Sequence, residues 1–156
     1  QNPQVAELEN RRTGMVLPMR TAGFHLQEPL DSQRMMYRDL MTEQQLGLTT
    51  GLKIPESEAA QEKLLRAALE KQFHLKVGAL KKRSFAPQAR SKGRKPEGRQ
   101  WTFEVSPQES SSGMVPVKRV IFWIVDQGAS RSILRASVTT PREETRAEQL
   151  AQALSW

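Results

Sequence analysis

The sequence contains no cysteine, which excludes disulfide bonds, thiolate metal sites and a cysteine nucleophile. Its two histidines, His25 and His74, lie in separate segments, and neither has a second histidine or a cysteine at metal-ligand spacing. No apolar run approaches the roughly 18 to 20 residues that a membrane-spanning helix needs. The lack of cysteine suits an oxidising compartment and the cytosol equally well, so it does not decide the location.

Motifs of the common catalytic and phosphate-binding sites are also absent. The sequence has no G-x-S-x-G elbow, no G-x-x-x-x-G-K-[ST] loop and no G-x-G-x-x-G fingerprint. Its acidic residues fall mostly on predicted helix faces and in first helical turns, and no oxygen-rich loop motif collects them. We therefore expect a protein that is not an enzyme and that holds neither a cofactor nor a metal ion.

What the chain does have is one strongly basic segment. The 156 residues include 24 basic and 17 acidic side chains, a net charge of +7. Residues 81–99 (KKRSFAPQARSKGRKPEGR) contain eight basic residues and a single acidic one, Glu97, so this segment alone accounts for the +7. Attraction for an acidic or phosphate-rich partner must come mainly from this segment.

Several kinds of partner suit the basic segment, and composition does not separate them. It can contact the phosphates of a nucleic acid, an anionic membrane surface or an acidic protein, and its prolines and glycines also allow a plain solvated loop without a partner. Phe85, isolated among the charges, is the expected exposed anchor. The predicted partner-binding residues are Lys81, Lys82, Arg83, Phe85, Arg90, Lys92, Arg94, Lys95 and Arg99.

The N-terminal third shows short and mixed patterns. Residues 1–12 have no sustained hydrophobic period, which predicts an extended arm. Residues 15–17 and 24–26 predict two short strands. Asp31 or Ser32 can cap a helix in which Met36, Leu40 and their neighbours repeat at helical spacing until Gly47.

The middle of the chain predicts a helix followed by two strands. Ser57 can cap the helix after Pro55, and Leu65, Leu69 and Phe73 fall on one stripe. Apolar residues then alternate over 75–79 and again over 101–105, which predicts two strands joined by the basic segment as a loop over 81–99.

The C-terminal third carries the strongest structural signal. Residues 117–125 (VKRVIFWIV) form a nearly continuous apolar run that predicts a central strand covered on both faces. Gly128 suits a tight turn into a returning strand over 133–139. Thr140, Pro141 and Glu143 then predict the start of a capped helix. Its predicted buried stripe consists of Ala147, Leu150, Ala151 and Leu154.

Four aromatic residues on adjacent predicted strands allow two interpretations. Trp101, Phe103, Phe122 and Trp123 can stack on the bases of single-stranded nucleic acid if they are exposed, or they can fill the core. We favour the core, because the apolar residues around them are typical of buried strands and the RNP consensus is absent.

Consecutive strands joined by turns predict a largely antiparallel sheet. We expect one α+β sandwich domain over residues 13–156, with five to six strands and helices packed on the faces of the sheet. The arm over residues 1–12 precedes it, and we expect a monomer.

The order of elements and several residues resemble a known family. After the helix that begins at Ser57 come FHLKVGAL, RQWTFEV, VKRVIFWIV, RSILRASVTT and PREETRAEQLAQALSW, and this succession resembles the PsbP/Mog1-like α-β-α sandwich family. Gly23, Phe24, Leu26 and Pro29 are similar to the opening strand of that family. The sequence departs from the pattern in its basic insertion and in lacking the Gly-Trp that usually follows the opening strand.

The resemblance implies a non-enzymatic accessory or assembly factor, and for the PsbP-like branch a location in the thylakoid lumen or bacterial periplasm. The chain starts at Gln1 rather than methionine, which fits either a sequence trimmed from a longer one or a mature chain whose targeting segment was removed, and we favour the second. Together with the resemblance, this leads us to expect a soluble chain in such an extracytoplasmic or organellar compartment. We expect its basic loop to bind an acidic protein or a membrane complex. An RNA- or DNA-binding module that uses the same loop is the alternative.

Overall fold

The computed structural model describes residues 7–10, 15–27, 30–31, 33–89, 95–108 and 116–156. Two helices and ten strands are present in these residues. The helices are α1 (Glu58–Lys71) and α2 (Pro141–Ala153). The strands are β1 (Glu7–Asn10), β2 (Met15–Pro18), β3 (Arg20–Thr21), β4 (Phe24–Leu26), β5 (Arg34–Asp39), β6 (Gln45–Lys53), β7 (Leu75–Phe85), β8 (Glu97–Pro107), β9 (Arg119–Gln127) and β10 (Ser130–Val138).

Eight of the strands form one sheet in the order β3-β4-β5-β6-β10-β9-β8-β7, and every neighbouring pair is antiparallel. Strands β1 and β2 form a separate antiparallel pair. The predicted α+β class and antiparallel sheet are confirmed, but the expected five to six strands were too few. Residues 7–10 of the predicted arm belong to β1, and where the domain begins stays a prediction.

The two helices pack on opposite faces of the sheet. Successive residues of β9 point to opposite faces, so Phe122 packs with Leu65 and Leu69 of α1, while Trp123 packs with Leu150 of α2. Because both faces of β9 are covered, seven of its nine residues are buried. The α-β-α layering expected from the family resemblance is therefore present.

The helix predicted from Asp31 or Ser32 to Gly47 is wrong. Residues 34–47 form β5, a turn and the start of β6, and Met35, Tyr37, Leu46 and Leu48 are buried in alternation along these strands. Ser32 lies outside the described residues. Met36 and its neighbours also satisfy a helical period, and the pairing of β5 with β6 decided between the two patterns. Leu40, which was expected on the helical stripe, and its neighbour Met41 are exposed in the turn between the two strands.

The two remaining helices begin as predicted. The Ser57 side chain accepts a hydrogen bond from the Ala60 amide at 3.1 Å, and Leu65 and Leu69 are buried, whereas Phe73 lies beyond the end of α1. Thr140 and Glu143 form the reciprocal capping box of α2. The predicted stripe Ala147, Leu150, Ala151 and Leu154 is buried.

The predicted strand pair around the basic segment exists, but the strands are longer than the apolar alternation indicated. Pairing of β7 with β8 continues to Phe85 opposite Gly98. A Cβ on Gly98 would lie 2.7 Å from the Phe85 carbonyl oxygen, so this close pairing requires glycine. Lys81, Lys82 and Arg99 consequently lie in strands. The loop predicted over 81–99 is therefore wrong at both ends, and residues 86–96 connect the two strands.

Candidate functional site

The alternation of side chains along β7 and β8 divides the basic segment between the two faces of the sheet. Lys82 points to the side of α1, where its ammonium lies 4.7 Å from the centre of the buried Trp101 ring. Lys81 and Arg83, one position to either side, point to the side of α2 and line a cleft there with Glu148. We call these the α1 side and the α2 side of the hairpin.

On the α1 side, acidic residues neutralise the cations. Lys82 Nζ lies 3.5 Å from Glu58 and 3.9 Å from Glu62. Arg99 lies 3.8 Å from Glu58 and 3.3 Å from Asp126. Two of the predicted binding residues therefore already have carboxylate partners within the protein.

Asp126 is the most enclosed member of this group. It accepts hydrogen bonds from Arg131, with Nη2 to Oδ2 at 2.9 Å, and Arg131 also donates to Gln61 of α1 at 2.9 Å. Burial works to raise the pKa of Asp126, but the hydrogen bonds and charges of Arg131 and Arg99 hold it below its ordinary value. The α1 side is thus a structural ion network that ties the sheet to α1.

On the α2 side, the cations have no such partners. The side chains of Lys81 and Arg83 are exposed, and no residue in the described part of the chain forms an ion pair or hydrogen bond with either. Glu104 and Glu148 lie along the same cleft but form no ion pair with them. Both positive charges therefore remain available to an external anion.

The cleft beside these cations lies between α2 and the outer strands of the sheet. Its larger part has a volume of about 510 Å³, and a second part of about 220 Å³ continues along the sheet. Arg119 pairs with Glu144 at 3.5 Å beside the smaller part. The lining of the larger part is Arg83, Gln100, Trp123, Thr145, Glu148, Gln149, Gln152 and Ala153.

The cleft offers hydrogen-bonding groups and a positive charge. Carboxamides of Gln100, Gln149 and Gln152 offer donors and acceptors, and Arg83 supplies a positive charge. Neither histidine lines either part of the cleft. Among the residues that the structure describes, no three His, Cys, Asp or Glu side chains cluster so that they could hold a metal ion.

The predicted site residues have different positions in the structure. Lys81 and Arg83 are brought together on the α2 side, Lys82 and Arg99 are paired on the α1 side, and Lys95 is exposed near the start of β8. Three further residues of the prediction, Arg90, Lys92 and Arg94, lie outside the described residues.

The expectation that Phe85 is an exposed anchor is wrong. Its side chain is 7% exposed, and its ring lies 6.2 Å from the Trp156 ring in an edge-to-face arrangement. Phe85 points to the same face as Lys81 and Arg83, where the C-terminal residues cover it, and this contact between distant parts of the chain was not visible in the local composition. The aromatics Trp101, Phe103, Phe122 and Trp123 are buried, which confirms the core interpretation.

Sequence reasoning missed the glutamines of the cleft. Gln149 and Gln152 are three residues apart in α2, a spacing that puts both on one helix face beside the buried stripe. The sequence therefore contained a signal for these two glutamines. It contained no signal for the position of Gln100 opposite them, because that position depends on how α2 crosses the sheet.

A comparison with known protein families finds no match, and a comparison with curated proteins finds no relative. The fold, however, is similar to a solved structure. The solution structure of cyanobacterial PsbP from Synechocystis sp. PCC 6803 has a TM-score of 0.60 to this chain, covers 100% of this chain and 95% of its own, and is 8% identical in sequence. The chain thus has a PsbP-like fold. In the described residues, no helix is long and apolar enough to cross a membrane.

Proposed function

We propose that this chain is a non-enzymatic accessory or assembly protein that binds an acidic protein, alone or within a membrane complex, through the α2 side of the β7–β8 hairpin. The observation that carries the proposal is the contrast between paired and unpaired cations. Lys81 and Arg83 are exposed without an ionic partner in the described part of the chain, whereas Lys82 and Arg99 are neutralised internally.

The fold and the buried aromatic residues support the proposed role and the choice of partner. The PsbP-like fold supports an accessory role, and with it a location in the thylakoid lumen or periplasm. An acidic protein is preferred to a nucleic acid because the four sheet aromatics that would serve as a stacking platform are buried. Two exposed cations beside a polar cleft suit carboxylates presented by a protein surface.

The test is a binding titration of the full chain at low and at raised salt against four probes: poly-glutamate, single-stranded RNA, duplex DNA and vesicles containing anionic lipid. The double variant Lys81→Gln/Arg83→Gln should lose about tenfold in affinity for poly-glutamate, the size expected if two exposed ion pairs are removed. Poly-glutamate should bind more tightly than the other three probes, and raised salt should weaken its binding.

The matched control is Lys63→Gln/Lys71→Gln, which removes the same charge from exposed positions of α1. It should keep the wild-type affinity. Equal losses in the two double variants would show that only net charge matters and would overturn the proposed surface. Preferential binding of RNA or DNA that depends on Lys81 and Arg83 would establish the nucleic-acid alternative instead.

A further inference from the structure

Strand β7 forms one edge of the eight-stranded sheet. Its inner side pairs with β8, and no other strand in the described part of the chain pairs with its outer side. The opposite edge of the sheet is β3, which has only two residues. The outer backbone groups of β7 are thus a row of donors and acceptors that another strand can pair with.

The part of this edge suited to pairing is Leu80 to Phe85. Before it, a register shift between Val77 and Leu80 interrupts the ladder, and Arg66 of α1 donates to the Gly78 carbonyl at 2.9 Å. Beyond Phe85 the chain turns to the C-terminus, where the Trp156 amide donates to the Gln88 carbonyl at 2.8 Å. Six regular residues remain, a length of about 20 Å that is sufficient for an ordinary strand.

The side chains of this segment decide what kind of strand fits. Lys81 and Arg83 flank the edge on the α2 side, and Lys82 lies on the other side. Pairing with β7 of a second copy would bring these cations opposite one another, which is unfavourable. An acidic strand would place carboxylates opposite Lys81 and Arg83, so the charge disfavours self-pairing and favours an acidic partner.

We propose that an extended acidic segment of the partner protein adds to the edge Leu80 to Phe85 as a further antiparallel or parallel strand of the sheet. This inference rests on the proposed function, because it specifies how the same cations meet their acidic partner. Main-chain hydrogen bonds would supply affinity, and the glutamate or aspartate side chains next to Lys81 and Arg83 would supply selectivity.

The experiment uses the full chain and a synthetic peptide of about eight residues that alternates glutamate with threonine, long enough to span the edge. Two further peptides carry backbone N-methyl groups on alternate residues, one set on the odd positions and the other on the even ones. The amides of alternate residues point to the same side of a strand, so only the odd-numbered or only the even-numbered amides of the bound peptide pair with β7. One methylated peptide should therefore lose at least about tenfold in affinity, while the other should bind much like the parent.

Hydrogen exchange gives a second readout in the same samples. Binding of the parent peptide should slow the exchange of alternate backbone amides between Leu80 and Phe85, those that point outward in the free protein. The peptide in which lysine replaces glutamate should neither bind nor slow these amides, which controls for a non-specific effect of added peptide.

The outcomes separate this inference from the proposed function. One outcome is that the parent peptide binds in a salt-dependent way, both methylated peptides bind equally well, and the edge amides are not protected. Attraction between charged side chains would then explain the binding by itself, and the added strand would be excluded. If the parent peptide and poly-glutamate both fail to bind at low salt, the proposed function fails, and this inference fails with it.

Discussion

The α1 side and the α2 side of the β7–β8 hairpin carry cations from the same short basic segment, yet their surroundings differ. Lys82 and Arg99 on the α1 side meet Glu58, Glu62 and Asp126, so their charges serve the attachment of α1 to the sheet. Lys81 and Arg83 on the α2 side face a cleft lined by both glutamines and glutamates, and have no ionic partner among the described residues. A run of like charges therefore does not act as one unit when it lies in a strand.

The difference follows from the two-residue period of a strand. In a loop, all the cations of the segment could turn towards one partner. In β7, adjacent residues are fixed on opposite faces, and each face has its own helix. The composition of the facing helix then decides which cations are neutralised, because α1 presents Glu58 and Glu62 next to Lys82.

The largest expected effect concerns Phe85, which lies on the α2 side at the end of β7. Phe85→Ala should lower the free energy of unfolding by about 3 to 5 kcal/mol, because it removes a buried ring and its edge-to-face contact with Trp156. Urea unfolding followed by the fluorescence of the tryptophans measures the loss. The control is Phe73→Ala, where the ring is 36% exposed and its centre lies 4.4 Å from the Arg135 guanidinium carbon, so the expected loss is about 1 kcal/mol.

Equal stability of the Phe85→Ala variant and the wild type, combined with weaker binding of poly-glutamate, would contradict the packing seen here. It would restore Phe85 as an exposed anchor, the interpretation that the sequence alone had favoured.

The next largest effect is expected at Asp126, the most enclosed carboxylate on the α1 side. Asp126→Asn leaves Arg131 and Arg99 without their shared carboxylate, and we expect the free energy of unfolding at neutral pH to fall by about 2 to 4 kcal/mol. This is somewhat below the cost for a fully buried pair, because the Asp126 side chain is 16% exposed. Chemical unfolding at pH 7 checks the value.

The same variant should change the pH dependence of stability. The pKa of Asp126 is lower in the folded chain than in the unfolded one, so its contribution is complete above the ordinary carboxyl value of about 4 and is lost as the pH falls through that value towards the folded pKa. Between pH 6 and pH 3, about the range in which the unfolded carboxyl titrates, the stability of the variant should fall less steeply than that of the wild type.

The Asp126→Asn variant should still lose some stability as the pH falls from about 6 to about 3. Burial also opposes ionisation of Asp39, but hydrogen bonds from Arg146 and the Met41 amide hold the pKa of Asp39 below its ordinary value. If the free energy of unfolding fell equally steeply with pH in the variant and the wild type, protonation of Asp126 would not be linked to unfolding, and its pairing with Arg131 would not explain the loss of stability in acid.

The smallest expected effect compares neighbouring residues on the two sides. Lys82→Gln removes two partly exposed ion pairs and a contact with the Trp101 ring, and should cost up to about 1 kcal/mol. Arg83→Gln removes no ionic contact within the described residues and should change stability by less than about 0.5 kcal/mol. Thermal unfolding of the two variants in parallel measures the difference, and a larger loss for Arg83→Gln would reverse the assignment of paired and free cations.

The parts of the fold that were predicted correctly are those with local or strongly periodic signals. The capping box and the buried stripe of α2, the cap of α1 and the apolar run of β9 each depend on residues close in sequence. The helix predicted over residues 31–47 was wrong because Met36 and Tyr37 fit both a helical and a strand period. The pairing of β5 with β6 decided between the two periods, and the apolar pattern alone did not show it.

For the candidate site, too, some properties follow from the sequence alone and others depend on contacts between distant residues. The sequence alone determined that one segment carries the entire charge excess, since counting residues requires no structure, and it determined the α+β class through local periodicity. Only the tertiary structure decided that Phe85 is buried, that Lys82 and Arg99 are neutralised, and that Lys81 and Arg83 have no ionic partner among the described residues. The physical reason is that pairing of β7 with β8 alternates the cations between two faces, and α1, α2 and Trp156, all distant in sequence, determine what each side chain meets.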